Sequence, residues 1–422
     1  MKPSIRESLD YNRKGKIQVK LSKQLENQKD LSLAYTPGVA EASKEIAKNP
    51  ESAYDYTIKW NSVAVVTDGS AVLGLGDIGP LASIPVMEGK AALFRKFSCI
   101  DAWPLALENV RSSEGRTDTK KFIEAVKSIA CNFGGINLED IAAPACFDIE
   151  QQLDSQLDIP VFHDDQHGTA VVVLAALKNY LQICSKDMKK LKVVIIGAGA
   201  AGLSIAELIK KCGCANTTLC DSKGVIHTGR SDINKWKKKF AAETDARSIA
   251  DALAGADVMI GVSKPQIVTK EMIKTMNPNP AVFAMSNPVP EIWPEDVIEA
   301  RKDAVVATGR SDYPNQINNV LAFPYIFRGA LDTRAKVINK DMKIAAADAL
   351  AELARKKVPD DVKKCYCIDN LECGREYILP KPFDQRLLFE IPKAVAKAAM
   401  ETGVARKKLD LDRYDDIIRK FS

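Results

Sequence analysis

Apolar and polar positions divide the chain into two stretches in which strand-like and helix-like patterns alternate. The first stretch covers about residues 31–149 and contains a short β-rich apolar run over 62–67, which predicts a buried strand. Further along, apolar residues recur at helical spacing over 117–132 and predict an amphipathic helix. The second stretch starts near Pro160 and opens with a long, mostly apolar helix over 169–183.

The second stretch continues as a regular alternation of strands and helices. Predicted strands lie at residues 192–196, 216–221, 258–262, 281–285 and 305–307. Strands that alternate with helices in this way predict a parallel, doubly wound sheet. Beyond residue 340 the pattern returns to helix, over 342–356 and 391–400.

The predicted fold class is therefore α/β. We predict an N-terminal α/β domain over residues 15–150, a doubly wound domain over 160–395, and a helical C-terminal tail over 396–422. Within the first domain, the Gly-Gly-Ile-Asn segment at 134–137 is predicted to form a turn.

Composition and charge exclude several functional classes. The 422 residues carry a net charge of +5, and basic residues are interspersed with acidic ones without an aromatic or Gly-rich pattern, so no nucleic-acid partner is predicted. No apolar run approaches the roughly 18 residues that span a membrane, and residues 1–20 lack a signal-peptide core. We predict a cytoplasmic protein without a membrane partner, whose ten cysteines are too sparse for a disulfide framework.

A glycine-rich turn lies between the first two strands of the doubly wound region. The sequence from Gly197 to Gly202 fits G-x-G-x-x-G, follows an apolar strand and opens a helix. Such a turn lets the backbone approach a pyrophosphate at the helix N-terminus, although Gly-rich turns also occur in α/β proteins that bind no nucleotide. With this turn, the domain over 160–395 is predicted to be a Rossmann-type dinucleotide-binding domain. Its predicted cofactor-binding residues in the turn are Gly197, Gly199, Ala200, Ala201 and Gly202.

The identity of the nucleotide depends on Asp221, at the end of the next strand. Its carboxylate would accept hydrogen bonds from the adenosine ribose and repel a 2′-phosphate, which favours NAD slightly over NADP. Lys223 and Arg230 follow closely, however, and either could pair with the phosphate of NADP. At a later strand end, Asn287 lies where a nicotinamide or a substrate carboxylate would bind, or else it caps a loop before a proline.

Two acidic pairs precede the dinucleotide unit. Glu139-Asp140 follows the predicted turn, and Asp164-Asp165 follows a predicted strand over 159–162. Carboxylate oxygens can converge at such positions, and they are the ligands that Mg²⁺ or Mn²⁺ prefers. Acidic pairs also cap helices or face water, so the pattern by itself leaves both interpretations open. His163 and His167 are interpreted as hydrogen-bonding loop residues and not as metal ligands.

Two further side chains stand out by their surroundings. Lys90 enters an apolar segment, where burial would disfavour its charge unless the side chain reaches the surface from a helix. Tyr35 precedes Pro37 and Gly38, which fix a turn, and an ordinary half-buried tyrosine would satisfy the same pattern. The residues alone leave these alternatives open.

Taken together and in order, these segments resemble the malic enzyme family, in particular its small-subunit, bacterial-type branch. The similarity covers about residues 15–400. It rests on Tyr35-Thr36-Pro37-Gly38, Thr67-Asp68-Gly69, Gly74-Leu75-Gly76-Asp77-Ile78-Gly79, Ile84-Pro85 through Lys90, Leu138-Glu139-Asp140, Asp164-Asp165-Gln166-His167-Gly168-Thr169, Ser286-Asn287-Pro288 and Asn318-Asn319. One departure concerns substrate binding: larger family members have an Arg shortly after T-D-G that clamps a malate carboxylate, whereas this chain reads Ser70-Ala71-Val72.

The resemblance implies an activity and a set of roles. The activity is the metal-dependent oxidative decarboxylation of L-malate to pyruvate and CO₂ with NAD or NADP, with oxaloacetate as a further candidate substrate. The implied metal ligands for Mg²⁺ or Mn²⁺ are Glu139, Asp140 and Asp165. The implied catalytic residues are Lys90 as general base, Tyr35 as general acid and Asp164 as the partner of the lysine. The implied substrate and nicotinamide contacts are Asn287, Asn318 and Asn319.

The resemblance also implies a homodimer in which Tyr35 reaches the neighbouring active site. Two other functions remain open. A metal-independent amino-acid dehydrogenase would also place a lysine beside a nicotinamide, and metal dependence separates it from a malic enzyme. A catalytically silent NAD(P)-binding sensor would bind nucleotide without turnover, but it gives no reason to retain Tyr35, Lys90 and the acids together.

Overall fold

The protein, described here by a computed structural model over residues 3–421, contains two β-sheets, in which all pairs of neighbouring strands but one are parallel. The strands are β1 (Ser62–Thr67), β2 (Asp101–Ala106), β3 (Gly135–Leu138), β4 (Val161–His163), β5 (Lys192–Ile196), β6 (Asn216–Asp221), β7 (Gly224–Val225), β8 (Val258–Gly261), β9 (Ala281–Ala284) and β10 (Val305–Thr308). The helices are α1 (Ile5–Asn12), α2 (Gln28–Ala34), α3 (Val39–Lys48), α4 (Ala53–Tyr56), α5 (Gly79–Ser98), α6 (Thr119–Ile129), α7 (Ala145–Gln156), α8 (Asp164–Ile183), α9 (Ala200–Lys211), α10 (Lys235–Lys238), α11 (Ile249–Leu253), α12 (Lys270–Lys274), α13 (Pro294–Ala300), α14 (Phe323–Asp332), α15 (Lys340–Arg355), α16 (Asp360–Tyr366), α17 (Leu387–Glu401) and α18 (Tyr414–Ile418). Among these described helices, none combines the length and the apolar character needed to cross a membrane.

The first sheet has four parallel strands in the order β2-β1-β3-β4. Every residue of β1 is buried, as expected for a central parallel strand that is covered on both faces. Helix α5 packs against β1 and β2, and α7 packs beside β4. The strand predicted over 62–67 is confirmed, and the helix predicted over 117–132 is present as α6 followed by a 3-10 turn.

The turn predicted at 134–137 is wrong, because residues Gly135–Leu138 form β3. This strand lies between β1 and β4 and pairs with both of them. The ring of Phe327 lies 3.0 Å from the position that a Cβ on Gly135 would take, so a glycine lets the strand and that ring pack closely. Pairing on both sides overrides the local turn preference of two glycines. Glu139 and Asp140 therefore follow the end of a strand.

The second sheet has the strand order β10-β9-β8-β5-β6-β7. Numbered within this sheet, the order is 3-2-1-4-5-6, which is the arrangement of doubly wound dinucleotide-binding folds. The strands pair in parallel except β7, a two-residue edge strand that is antiparallel to β6. The predicted doubly wound parallel sheet is thus confirmed, with its short edge strand as the exception.

Helix α8 joins the two sheets. It begins at Asp164, directly after β4 and earlier than the predicted start at 169, and it packs against α9 and α15. Since β4 completes the first sheet, the boundary predicted at residue 160 lies before the last strand of that sheet. The boundary predicted at residue 396 lies inside α17, and Ser422, the end of the predicted tail, lies outside the described residues. One hydrophobic core includes residues of both sheets and of α14, α15 and α17.

The N-terminal helices α1, α2 and α3 bury none of their residues. Large apolar side chains of this segment are exposed, including those of Leu9, Leu31, Leu33, Tyr35 and Val39. Exposed apolar side chains that follow one another in this way are typical of a surface that contacts another chain.

Candidate active site

A lysine and two acidic pairs meet at the carboxyl edge of the first sheet. Lys90 projects from α5, Glu139-Asp140 follows β3, and Asp164-Asp165 follows β4. Strands β3 and β4 are parallel neighbours, so the residues that follow them lie side by side. The fold thereby brings together five site residues that the sequence analysis identifies in three separate segments.

The Lys90 ammonium is buried between two carboxylates. The residue is only 8% exposed, and its Nζ lies 2.6 Å from Asp164 Oδ2 and 2.9 Å from Glu139 Oε1. The ring of Phe323 covers the ammonium at 4.3 Å from Nζ to the ring centroid. The alternative in which the lysine side chain reaches the surface is therefore wrong.

The charges in this cluster act strongly on one another. Burial acts to lower the pKa of Lys90, but attraction to Asp164 and Glu139 outweighs it and raises that pKa above its ordinary value. Burial raises the pKa of Glu139 well above its usual range, and the nearby Asp165 adds to the rise against the opposing pull of Lys90. At Glu139 the effect of burial therefore outweighs the attraction of the Lys90 ammonium.

Glu139, Asp140 and Asp165 form a group of carboxylates suited to a cation. Each offers one oxygen, and these oxygens lie within 4.8 Å of one another. Asp140 has a φ of +53°, and its N–H donates to Asp165 Oδ2 at 2.8 Å, which connects the two strand ends. Converging carboxylates repel one another unless a cation compensates them, and their hard oxygens suit Mg²⁺ or Mn²⁺. The donor set fits a divalent cation of this kind.

Asp164 has several partners at the cluster. In addition to Lys90, its Oδ2 accepts a hydrogen bond from the side-chain amide of Asn319. Gly168 lies one turn further along α8, where a Cβ would overlap with Asp164 Oδ1. A glycine at 168 therefore leaves the space that the Asp164 side chain occupies. The neighbouring Asn318 is engaged elsewhere, because its side chain accepts the backbone N–H of the 3-10 turn that follows, at 3.0 Å.

The glycine-rich turn lies between β5 and α9 in the second sheet. Gly197 has a φ of +119°, and its N–H donates to Cys220 O at 2.9 Å, at the end of β6. A Cβ on Gly202 would overlap with the carbonyl oxygen of Gly197, so a glycine is needed for this close approach. Gly199 precedes the helix, and Ala200 and Ala201 form its first turn. The predicted strand-turn-helix arrangement of this motif is present, with free space around Gly199.

Asp221, at the end of β6, does not have a free carboxylate. Arg230 donates to both of its oxygens at 2.8 and 3.2 Å, and Lys237 donates to Oδ2 at 2.7 Å. Although burial acts to raise it, these hydrogen bonds lower the pKa of Asp221 to about 2. Lys223 donates its backbone N–H to Asp221, while its exposed ammonium pairs with Asp232 at 2.8 Å. The slight preference for NAD is predicted from an Asp221 carboxylate free to accept hydrogen bonds from the ribose. The structure shows that this carboxylate is already paired.

Asn287 lies on the loop after β9, at the carboxyl edge of the second sheet. Its backbone oxygen is 3.0 Å from the position of a Cβ on Gly74, so the glycine-studded loop of the first region touches this edge. Glu291, which the sequence analysis does not identify, organises the same edge. Its buried carboxylate accepts the backbone N–H groups of Ser263 at 2.8 Å and Ser286 at 3.0 Å. In the sequence, Glu291 is distinguished only by its position directly before the apolar residues Ile292 and Trp293.

Tyr35 lies outside this cluster in the single chain. It is the C-cap of α2 and is 71% exposed, so the interpretation as a half-buried tyrosine is wrong.

A different arginine contacts the loop after Thr67-Asp68-Gly69, where this chain has Ser70-Ala71-Val72 and lacks the carboxylate-binding Arg of larger family members. Arg111 donates through Nη2 to Asp68 O at 2.7 Å and pairs with Asp77 at 2.5 Å.

Comparisons with known proteins agree with one another. The chain matches the family described as "Malic enzyme, N-terminal domain" over residues 14–154 and that described as "Malic enzyme, NAD binding domain" over 166–370. It is 54% identical to the NADP-dependent malic enzyme of Rhizobium meliloti, with 97% of this chain and 54% of that protein covered. It is 52% identical to the NADP-dependent malic enzyme of Halomonas elongata, with 95% and 94% covered. The crystal structure of malic enzyme from Pyrococcus horikoshii Ot3 matches with a TM-score of 0.90 at 42% identity, over 99% of this chain and 96% of that one. The chain thus spans about half the length of the Rhizobium relative and most of the Halomonas relative.

Proposed function

The chain belongs to the malic enzyme family, and we propose that it oxidises and decarboxylates L-malate to pyruvate and CO₂ with reduction of NAD(P). The observation that carries the proposal is the buried Lys90, hydrogen-bonded to Asp164 and adjacent to three converging carboxylates. A lysine and a divalent-cation site in contact suit an α-hydroxy acid, whose hydroxyl must lose a proton while its oxygen is polarised. A metal-independent dehydrogenase does not require the three converging carboxylates.

The residues of the site divide the proton transfers between them. Lys90 Nζ takes the proton of the C2 hydroxyl, and Asp164 holds the resulting ammonium through its 2.6 Å hydrogen bond. The nicotinamide supplies the hydride acceptor. Held by Glu139, Asp140 and Asp165, a divalent cation would polarise the substrate oxygens and compensate the carboxylate charges that raise the pKa of Lys90. Tyr35 donates its hydroxyl proton to C3 of the enolate that remains when CO₂ leaves, which gives pyruvate.

We propose that the active unit is a homodimer in which Tyr35 completes the site of the partner subunit. In the single chain this side chain is exposed, and none of the residues of α2 and α3 on either side of it is buried. A general acid in bulk water cannot protonate a carbon held at the Lys90 cluster. A second copy that covers the apolar residues of this segment would both bury them and bring the hydroxyl to a site.

We also propose that NADP is preferred to NAD. Arg230 and Lys237 pair with the Asp221 carboxylate, so its repulsion of a 2′-phosphate is reduced, and two cations near this strand end support binding of that phosphate. The two curated relatives described above carry the name NADP-dependent malic enzyme.

Replacing Arg230 by Ala should raise the KM for NADP by about 10- to 100-fold, the effect of losing a hydrogen bond between charged groups. The KM for NAD should stay the same or fall, because the Asp221 carboxylate, released from Arg230 and held by Lys237, can then accept from the ribose hydroxyls. Steady-state kinetics with both nucleotides measures this, and Lys238→Ala, an exposed lysine of the same segment, is the matched control. Equal changes with both nucleotides, or a wild-type preference for NAD, would contradict the proposal.

The activity itself is tested by initial rates at 340 nm with L-malate and either nucleotide, with Mn²⁺ or with EDTA. We expect pyruvate and CO₂ in equal amounts with the reduced nucleotide, and loss of all three with EDTA. Reduction that survives complete metal removal would favour the amino-acid dehydrogenase. Nucleotide binding without malate-dependent reduction, in folded and metal-supplied protein, would favour the sensor.

A further inference from the structure

A carboxylate on the outer side of the cluster binds the segment that carries the second acidic pair. Glu150, on α7, has a side chain that is 14% exposed. It accepts the backbone N–H of His163 at 3.0 Å, the side-chain amide of Gln166 at 2.9 Å, and the Nε2–H of His167 at 2.9 Å. One carboxylate therefore takes three donors from five consecutive residues of the chain.

These donors lie on both sides of Asp164 and Asp165. His163 ends β4 and is the N-cap of α8, and its own side chain makes no capping hydrogen bond. Gln166 and His167 belong to the first turn of that helix. The backbone conformation between β4 and α8 determines the direction of the Asp165 side chain. Glu150 binds this segment before Asp164, through His163, and after Asp165, through Gln166 and His167.

The His167 ring extends the contact to the dinucleotide-binding helix. An ionised carboxylate only accepts hydrogen bonds, so His167 carries its proton on Nε2, and its Nδ1 accepts from Ser204 Oγ at 3.0 Å. Ser204 is buried in α9, one half-turn after Gly202. The orientation of His167 is therefore fixed from two elements, α7 and α9.

We propose that Glu150 is a positioning residue that fixes the Asp164-Asp165 segment. It thereby sets the affinity with which the carboxylates of Glu139, Asp140 and Asp165 bind their divalent cation. The inference rests on the proposed function, because the cation site is part of it. A hydrogen-bonded outer shell that orients ligands commonly changes metal affinity by about 10- to 100-fold when it is lost. Burying a carboxylate is unfavourable unless it is hydrogen-bonded, and the donors between His163 and His167 supply those bonds to Glu150.

The test is the Kd for Mn²⁺, measured by titration of the metal into the protein without substrate. We expect Glu150→Ala to weaken Mn²⁺ binding about 10- to 100-fold. Glu150→Gln keeps the shape and one accepting oxygen, so it should give an intermediate Kd, and it is the variant to measure if Glu150→Ala does not fold. Tyr414→Phe is the matched control, because it removes a different buried hydrogen bond, 2.6 Å from Tyr414 Oη to Asp332, and should leave the Kd unchanged.

The Mn²⁺ affinities of the wild type and the variants distinguish the role of Glu150 from the existence of the metal site. Mn²⁺ bound by Glu150→Ala as tightly as by the wild type would overturn the role of Glu150 and leave the metal site intact. Equal weakening in Glu150→Ala and Tyr414→Phe would show general destabilisation and also overturn it. Wild-type protein that binds no Mn²⁺ would instead remove the metal site from the proposed function.

Discussion

Replacing Lys90 by Met should lower kcat for malate oxidation by about 10²- to 10⁴-fold, the range lost with a general base. The same loss is expected for Lys90→Arg, because a guanidinium keeps the positive charge between Asp164 and Glu139 but does not give up its proton. The pair of variants separates two roles of Lys90, since Lys90→Arg would retain activity if only the charge mattered. Steady-state kinetics at saturating malate, nucleotide and Mn²⁺ gives the comparison.

The Met variant also leaves two buried carboxylates without their cation, so its stability must be followed. Lys186→Met is the matched control, because Lys186 is a partly buried lysine paired with Asp257 at 2.7 Å outside the site. It should lower the melting temperature with little change in kcat. A Lys90→Met protein that is folded and retains wild-type kcat would remove Lys90 from the chemistry.

A heterodimer of a Tyr35→Phe subunit and a Lys90→Met subunit should regain about half of the wild-type activity per dimer, although each parent homodimer is nearly inactive. If Tyr35 acts on the partner subunit, one of the two sites then combines an intact lysine with an intact tyrosine. The other site lacks both groups. The two subunits carry different affinity tags, so that only heterodimers are isolated and assayed.

The reciprocal heterodimer distinguishes the arrangement further. When one wild-type subunit is paired with a subunit that carries both substitutions, each site lacks one group if Tyr35 acts across the interface, and activity is lost. If Tyr35 serves its own subunit, this second heterodimer keeps about half of the activity and the first has none. A protein that is active as a monomer would rule out the proposed dimer.

Much of the second sheet follows from the sequence, because its signals are local. Apolar runs bounded by polar residues predict its parallel strands, and the glycine turn from Gly197 to Gly202 is encoded by backbone requirements at those positions. The family motifs likewise identify Lys90 and the acidic pairs from the order of residues alone. Their individual roles in catalysis remain predictions for the experiments above.

The predictions of secondary structure are wrong where contacts between residues distant in the sequence determine the local structure. The Gly-Gly segment before Glu139 reads as a turn, but pairing with β1 and β4 makes it a strand, and that strand places Glu139 beside Asp165. Helix α8 starts earlier than its apolar pattern suggests, because its polar first turn is held by hydrogen bonds to Glu150. Neither effect has a local signature.

The sequence by itself determined the fold class, the strand-turn-helix nucleotide motif and the chemical types of the candidate residues, since these depend on periodicity and on residue identity. Only the tertiary structure decided whether charges meet. It buries Lys90 between Glu139 and Asp164, pairs Asp221 with Arg230, and leaves Tyr35 exposed in the single chain. The physical reason is that electrostatic and hydrogen-bond energies depend on distances across the fold, which local sequence patterns do not specify.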